Sequence, residues 1–209
     1  MKRAFDIASA SIGLVLTSPI VLLAAAFVKL DSPGPVFYLS PRVGRDGRPF
    51  EMVKLRSMQV GADTHGPPVT VSADPRVTRA GRLLRRTKID ELPQLVNVLK
   101  GDMSLVGPRP EHPEYVKLYT PEQRRVLSVR PGITGAAVIV FVDEESMLTG
   151  SDPEASYRRD VMPKKLALDL DYVEHHGFQR DLSILLATAG IVIRRIATRP
   201  MRGASEPRP

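Results

Sequence analysis

Asp90 and Glu91 stand side by side in a run rich in cations. Arg85, Arg86 and Lys88 precede them, and Arg109 follows between Pro108 and Pro110. Such a group can handle phosphate. One carboxylate can attack phosphorus and form an acyl phosphate. The other can hold magnesium, which binds through one or two carboxylates plus substrate phosphates. Arginines fixed in place can take phosphate oxygens in pairs. The plainer reading is helix capping, because acidic residues favour first turns for hydrogen-bonding and dipole reasons alone. The fixed cations move the balance toward a phosphate site. Other candidates are weaker. His175 and His176 are adjacent and cannot face one ligand from a helix, and His65 and His112 are isolated. Gly132 and Gly135 do not form a phosphate-binding glycine loop. Asp143-Glu144-Glu145 reads as a solvated turn rather than a metal site.

These residues need elements to place them. Leu92, Leu95, Val96 and Leu99 recur at helical spacing, which predicts an amphipathic helix beginning at the acidic pair, with Pro93 in its first turn and Gly101 as its stop. Asp102 to Pro110 is then a rigid loop presenting Arg109. Upstream, Val36–Leu39 and Phe50–Leu55 read as two strands about a turn at Asp46-Gly47. Alternation along the second strand puts Phe50, Met52, Lys54 and Arg56 on one side. Gly61 to Pro75 reads as a mobile loop and Arg130 to Gly135 as a turn, followed by a strand at Val138–Val142. Lys164–His176 reads as a helix with Leu166, Leu170 and Val173 on one side. Leu182–Ile193 is an apolar helix too short to span a bilayer and suited to a membrane surface. Arg199–Pro209 reads as a disordered tail.

Ile7 to Val28 contains no charged residue and as a straight helix is roughly 33 Å long, about one hydrocarbon thickness. Ser18-Pro19 lies in its middle. Pro19 removes a backbone donor and crowds the carbonyl of Val15, so a kink or turn is expected there. Thr17 or Ser18 hydroxyls can satisfy the carbonyls this frees. Basic residues flank both ends, Lys2 and Arg3 before, Lys29, Arg42, Arg45 and Arg48 after. Positive charge favours the cytoplasmic side, so both ends there imply a segment that enters the membrane, bends at Ser18-Pro19 and returns. A straight span with a tolerated proline, a cleaved signal peptide and a buried core helix are the competing readings.

The 209 residues suffice for one domain and an attached segment. With no Cys there is no disulfide framework, iron–sulfur cluster or thiolate zinc site. A net charge of +7 suits a polyanionic partner, whether nucleic acid, anionic lipid or phosphorylated substrate. Nucleic-acid binding expects aromatics among the basic residues. Aromatics here are 5%, and that reading leaves the apolar N-terminus without a purpose.

The run from Lys88 to Pro110, KIDELPQLVNVLKGDMSLVGPRP, resembles the signature of the bacterial sugar transferases, the monotopic phosphoglycosyl transferases that begin lipid-linked glycan assembly. KRAFDIASASIGLVLTSPI is similar to that family's re-entrant helix, GPVFYLSPRVGRDGRPFEMVKLRSM to its hairpin, and RPGITG to a later turn. The resemblance implies an α+β, helix-dominated fold: a re-entrant membrane helix over 1–30, a cytosolic catalytic domain with a small β-hairpin over 31–180, and an interfacial helix with a basic tail over 181–209. It implies transfer of a sugar phosphate from a nucleotide sugar, UDP-linked, to polyprenyl (undecaprenyl) phosphate at the cytoplasmic face of the bacterial inner membrane. Asp90 would be the nucleophile and Glu91 the Mg2+ ligand. Lys54, Arg85 and Arg109 would contact phosphates or brace the site, with Asp169 in support. Membrane lipid and a homodimeric partner belong to the same expectation, and nucleic acid does not. An adapter that had lost activity would show a broken dyad or no Arg109, and all three residues are present. The resemblance thins after Gly135, where AAVIVFVDEESMLTG replaces the commoner Trp-containing stretch in a region that bears on which sugar is read. The extra N-terminal transmembrane helices of larger relatives are absent, as expected of the minimal catalytic form.

Overall fold

Helix α1 (Lys2–Asp31) runs unbroken with Pro19 inside it. Of the kink or turn expected at Ser18-Pro19, a turn that breaks the helix is not formed. Ser18 Oγ donates to Val15 O at 2.9 Å, the carbonyl that Pro19 cannot serve, and Thr17 Oγ1 donates to Gly13 O at 2.7 Å. The hydroxyls thus take up the bonding that proline removes. The computed structural model describes residues 1–64, 66, 68–148 and 152–198, and the side chains only as far as 195. The expected tail Arg199–Pro209 and the isolated His65 lie outside the described residues.

Both ends of α1 are fastened to one folded body. At its start, Arg3 donates to Val98 O and Leu99 O, and Asp6 accepts from Ser104 Oγ at 2.9 Å and Leu105 N at 3.2 Å. At its end, Asp31 accepts from Ala80 N, while Ala24 and Val28 pack with Leu55 and Leu84. Between these anchors, Val15 and Leu16 are 72% and 71% exposed. Among the described residues α1 alone is long and apolar enough to cross a membrane.

Strands β1 (Phe37–Val43) and β2 (Pro49–Leu55) form an antiparallel hairpin, with Phe37 opposite Leu55 and Val43 opposite Pro49. The turn falls where the sequence places it, with Asp46 and Gly47 both at positive φ, 60° and 75°. Helix α2 (Arg79–Thr87) is capped by Thr78, whose side chain accepts from Gly81 N. A 3₁₀ turn, Ile89–Glu91, carries the acidic pair, and α3 (Gln94–Lys100) begins only after Pro93. Asp90 and Glu91 therefore precede the helix instead of opening it. The buried side of α3 is also not the leucine stripe. Gln94, Asn97 and Val98 are buried, and Leu99 is exposed. The reason is a polar lock: Asn97 accepts from Val53 N at 2.9 Å and donates to Glu51 O at 2.7 Å, satisfying β2 backbone groups. Leu95 turns instead to α1, joining Ala10 and Met103.

Strand β3 (Ser104–Val106) pairs in parallel with β4 (Gly132–Thr134), a contact that three-residue strands do not announce in sequence. The short α4 (Pro113–Val116) lies between them. The strand expected at Val138–Val142 is a helix, α5 (Ala136–Val140). Packing of Ala136 and Ile139 against Tyr172 and Ile184 overrides the β preference of the Val-Ile-Val run. Two more short helices follow, α6 (Glu144–Met147) and α7 (Pro153–Ser156), and a π turn, Tyr157–Val161, leads into α8 (Met162–Glu174). Leu166, Leu170 and Val173 of α8 all pack inward, as their spacing predicts. Helix α9 (Phe178–Thr198) is longer than expected, at 21 residues, and keeps Phe178, Leu182, Leu186 and Ile193 exposed. The largest core cluster gathers Tyr115, Tyr119, Tyr157, Val161, Met162 and Leu166.

Candidate active site

Lys88 ends α2 in the left-handed region, with φ 59° and ψ 15°. A non-glycine residue there is strained by about 1 kcal/mol or more, a cost that is held only where the surroundings impose it. Its effect is to swing the chain sharply, so that Asp90 and Glu91 face the cleft. That cleft has a volume of about 1240 Å3 and is lined by Lys54, Arg85, Lys88, Asp90, Glu91 and Arg109, among others.

Glu91 sits in a fork. Arg109 donates to both of its oxygens, at 2.8 and 3.2 Å, and Lys54 Nζ lies 3.5 Å from the first. Lys88 Nζ is 3.9 Å away. Burial alone would raise the Glu91 carboxyl, but the charges of Arg109, Lys54 and Lys88 outweigh it and hold the group well below the usual carboxylate range. The same pairing raises Arg109. Asp90 differs. It is 4% exposed, and its Oδ1 has no hydrogen-bond partner among the described residues. Burial, then the charge of Glu91, push its carboxyl up. Burial likewise draws Lys54 down to about 8, against the pull of Glu91. Two adjacent carboxylates are thus driven apart: one is locked as an anion in a cationic fork, and one is buried with an open oxygen.

Backbone bonds hold the Arg109 loop from behind. Gly107 N donates to Thr134 O at 3.0 Å, and Gly132 N donates to Pro108 O at 2.8 Å. A Cβ on Gly132 would lie 2.1 Å from Gly107 N, and one on Gly135 would lie 2.2 Å from Gly107 O. The glycines of the Arg130–Gly135 turn therefore let two backbones touch.

Among the residues singled out from sequence, Asp90, Glu91, Lys54 and Arg109 converge. Arg85 lines the same cleft, but its guanidinium is paired with Glu145. Asp169 is 5% exposed on α8 and does not line the cleft. Burial raises its carboxyl to about 7, and its Oδ1 has no hydrogen-bond partner among the described residues. Ser18 and Pro19 lie in the exposed middle of α1. The acidic run is not merely solvated: Asp143 pairs with Arg195, Glu144 with Lys165 and Glu145 with Arg85. His175 and His176 are exposed, as read. Sequence reasoning missed Arg42, Glu111 and Tyr157 as cleft residues. Glu111 had one usable signal, its place directly after Pro108-Arg109-Pro110.

Among the described residues no three His, Asp or Glu side chains gather as a metal site. Asp90 and Glu91 do offer hard oxygen donors, one of them unpartnered, in a cleft with room for phosphates. That set fits Mg2+, which takes few protein ligands and completes its shell from substrate and water.

The bacterial sugar transferase family model matches residues 1–195, so the chain belongs to that family. It is 42% identical over 192 residues to a UDP-glucose:undecaprenyl-phosphate glucose-1-phosphate transferase of Caulobacter vibrioides, covering 90% of this chain and 67% of that protein. It is 37% identical over 206 residues to a UDP-N-acetylgalactosamine-undecaprenyl-phosphate N-acetylgalactosaminephosphotransferase of Aeromonas hydrophila, covering 95% of this chain and 45% of that one. A sugar transferase of Bacillus subtilis, EpsL, is 42% identical over 193 residues, 92% of this chain and 87% of its own length.

Proposed function

We propose that this sugar transferase moves a sugar phosphate from a UDP-sugar to undecaprenyl phosphate by two displacements through Asp90. The observation that carries the reading is the open, buried oxygen of Asp90 beside a Glu91 gripped by Arg109 and Lys54. In the first step a carboxylate oxygen of Asp90 bonds to the sugar-side phosphorus, and the bond to the nucleoside monophosphate breaks. In the second, an oxygen of the lipid phosphate bonds to that phosphorus and Asp90 leaves as carboxylate. The sugar's anomeric bond stays intact. The relay spares the site from aligning two anionic substrates at once. Arg109 and Lys54 supply fixed positive charge where phosphate charge accumulates. Mg2+, held by Glu91, would offset charge on the phosphate oxygens. Replacing Asp90 by Asn keeps the shape and removes the nucleophilic anion. Asp90→Asn should therefore abolish nucleoside monophosphate release and labelling by a donor whose sugar-side phosphate is radioactive. Sustained turnover in that variant would sink the assignment. Glu91→Gln should lose turnover together with Mg2+ dependence.

The membrane placement is part of the same proposal. A helix that crossed a bilayer would leave one end on the far side, whereas both ends of α1 bond to one body. This supports a helix that dips into the cytoplasmic leaflet of the inner membrane and returns, its exposed Val15 and Leu16 in hydrocarbon. Cysteines at Ala4 and Leu30, both exposed, should be labelled only from the cytoplasm. Periplasmic labelling at either position would show a span.

A further inference from the structure

The cleft has a wall that the chemistry above does not use. Arg42 of β1, Glu111, Tyr157 and Lys165 line it together with the acidic pair. Glu111 lies two residues beyond Arg109, so the wall begins where the phosphate grip ends. The sugar of the donor is bonded to the phosphate that is attacked, so it must rest within one bond of that grip.

The wall is rigid. The Glu111 carboxylate accepts from Tyr157 Oη and, at 2.8 Å, from His112 N, while Val43 N holds the Glu111 carbonyl at 3.1 Å. Lys165 Nζ donates to Tyr157 Oη at 3.1 Å and to Glu144 at 2.6 Å, and lies 5.0 Å from the Tyr157 ring centroid. Arg42 is the exception. Among the described residues its guanidinium makes one hydrogen bond, to Pro41 O at 3.0 Å. Arg42 and Glu111 feel each other's charge and yet form no direct ion pair. Burial lowers Arg42, and Glu111 is held below the carboxylate range despite its burial. As a stability device this is poor, because half-buried charges that form no close pair contribute little. As a binding surface it has clear chemistry. A hydroxyl between the two can donate to Glu111 and accept from Arg42 at once.

We infer that Arg42 and Glu111 are the sugar-reading residues of the cleft, gripping hydroxyl groups of the donor's pyranose and setting which sugar is accepted. The inference rests on the transfer reaction proposed above. The test uses the full chain in detergent, with magnesium and undecaprenyl phosphate, and reads nucleoside monophosphate release from UDP-glucose, UDP-galactose and their N-acetylamino counterparts. UDP serves as an inhibitor that lacks the transferred pyranose. Arg42→Gln and Glu111→Gln should each change the ratio of kcat/KM between the two best donors by about tenfold, the scale of a lost hydrogen bond to a substrate hydroxyl. The inhibition constant of UDP should stay within about twofold, since UDP has no pyranose to contact the wall. Glu111→Gln also loosens Tyr157, so a thermal melt accompanies it. Should that variant unfold, Arg42→Gln decides alone, because among the described residues its side chain bonds Pro41 O alone. An equal fall for every donor, a parallel loss of UDP inhibition, or a raised KM for the lipid phosphate with donor ratios unmoved would each overturn the inference. Wild-type protein is assayed first. If it releases nucleoside monophosphate from no donor, the transfer reading fails and the wall fails with it; if it is active and the variants leave donor ratios unmoved, the wall alone fails.

Discussion

One methyl group, added at Gly132, should cost both stability and turnover although it touches no reacting atom. A Cβ there would lie 2.1 Å from Gly107 N, 2.4 Å from Thr134 O and 2.7 Å from Gly107 O. All three are backbone atoms and cannot rotate away. Carbon needs about 3.5 Å, so β3 and β4 must part by roughly 1 Å. Overpacking of this kind costs about 1–3 kcal/mol. The bonds Gly107 N to Thr134 O and Gly132 N to Pro108 O, worth about 1 kcal/mol each, weaken as well. A loss near 3 kcal/mol lowers the melting temperature of a chain of this size by about 6–12 °C. The second bond holds the residue before Arg109, so the guanidinium shifts with it, and a 1 Å misplacement costs about 10²-fold in rate. Gly190→Ala is the matched control. It adds the same methyl where nothing lies within 4 Å, in the middle of α9, and should stabilise by up to about 1 kcal/mol with full turnover. Melting curves and nucleoside monophosphate release in the same detergent compare the pair. If Gly132→Ala melts and turns over like Gly190→Ala, the glycine contact does not position Arg109.

Arg109→Lys should lower turnover about 10²-fold while the protein still folds, because an ammonium cannot hold both Glu91 oxygens; near-normal release of nucleoside monophosphate would refute the role of the fork. The pH profile of kcat/KM should be bell-shaped. On the proposed relay Asp90 must be ionised to attack, and its carboxyl is raised, so activity should climb with pH through a value above the ordinary aspartate. Lys54, lowered to about 8, loses its charge as pH rises through that value, and the alkaline limb falls there. Lys54→Arg should remove that limb, since arginine does not deprotonate in this range; a limb that stays in place assigns it to another group.

The acidic pair, Arg109 and the hairpin were legible because each depends on local chemistry. Asp46 and Gly47 accept positive φ wherever they stand, and two prolines stiffen an arginine in any fold. Errors arose where tertiary contacts decided. The leucine spacing of α3 pointed to the wrong buried side, because Asn97 is needed to satisfy the backbone of β2, forty-four residues upstream. Val138 to Val142 has strand composition, but packing against Tyr172 of α8 and Ile184 of α9 turns the segment into helix. The pairing of β3 with β4 rests on glycines read only as turn formers. The wall of Arg42, Glu111 and Lys165 was hidden for a further reason: charged residues in a sequence resemble a solvated face, and nothing local marks the ones that a cleft encloses.

The fastening of α1 also sets a schedule for biosynthesis. Lys2 Nζ bonds Val106 O, Tyr172 Oη and Asp181, the last of these 179 residues further along the chain. Helix α1 therefore meets this partner only after the intervening residues have been made. At about 5–20 residues per second that delay is about 10–40 s. Throughout it, Ile12, Val15, Leu16, Leu22 and Leu23 are uncovered, and they stay uncovered afterwards. On the membrane placement proposed above, an apolar segment with so long a wait and so little protein cover is delivered to the bilayer while the catalytic body is still being made. Release of the chain into the cytosol for later docking would expose this surface before Lys2 has anything to hold.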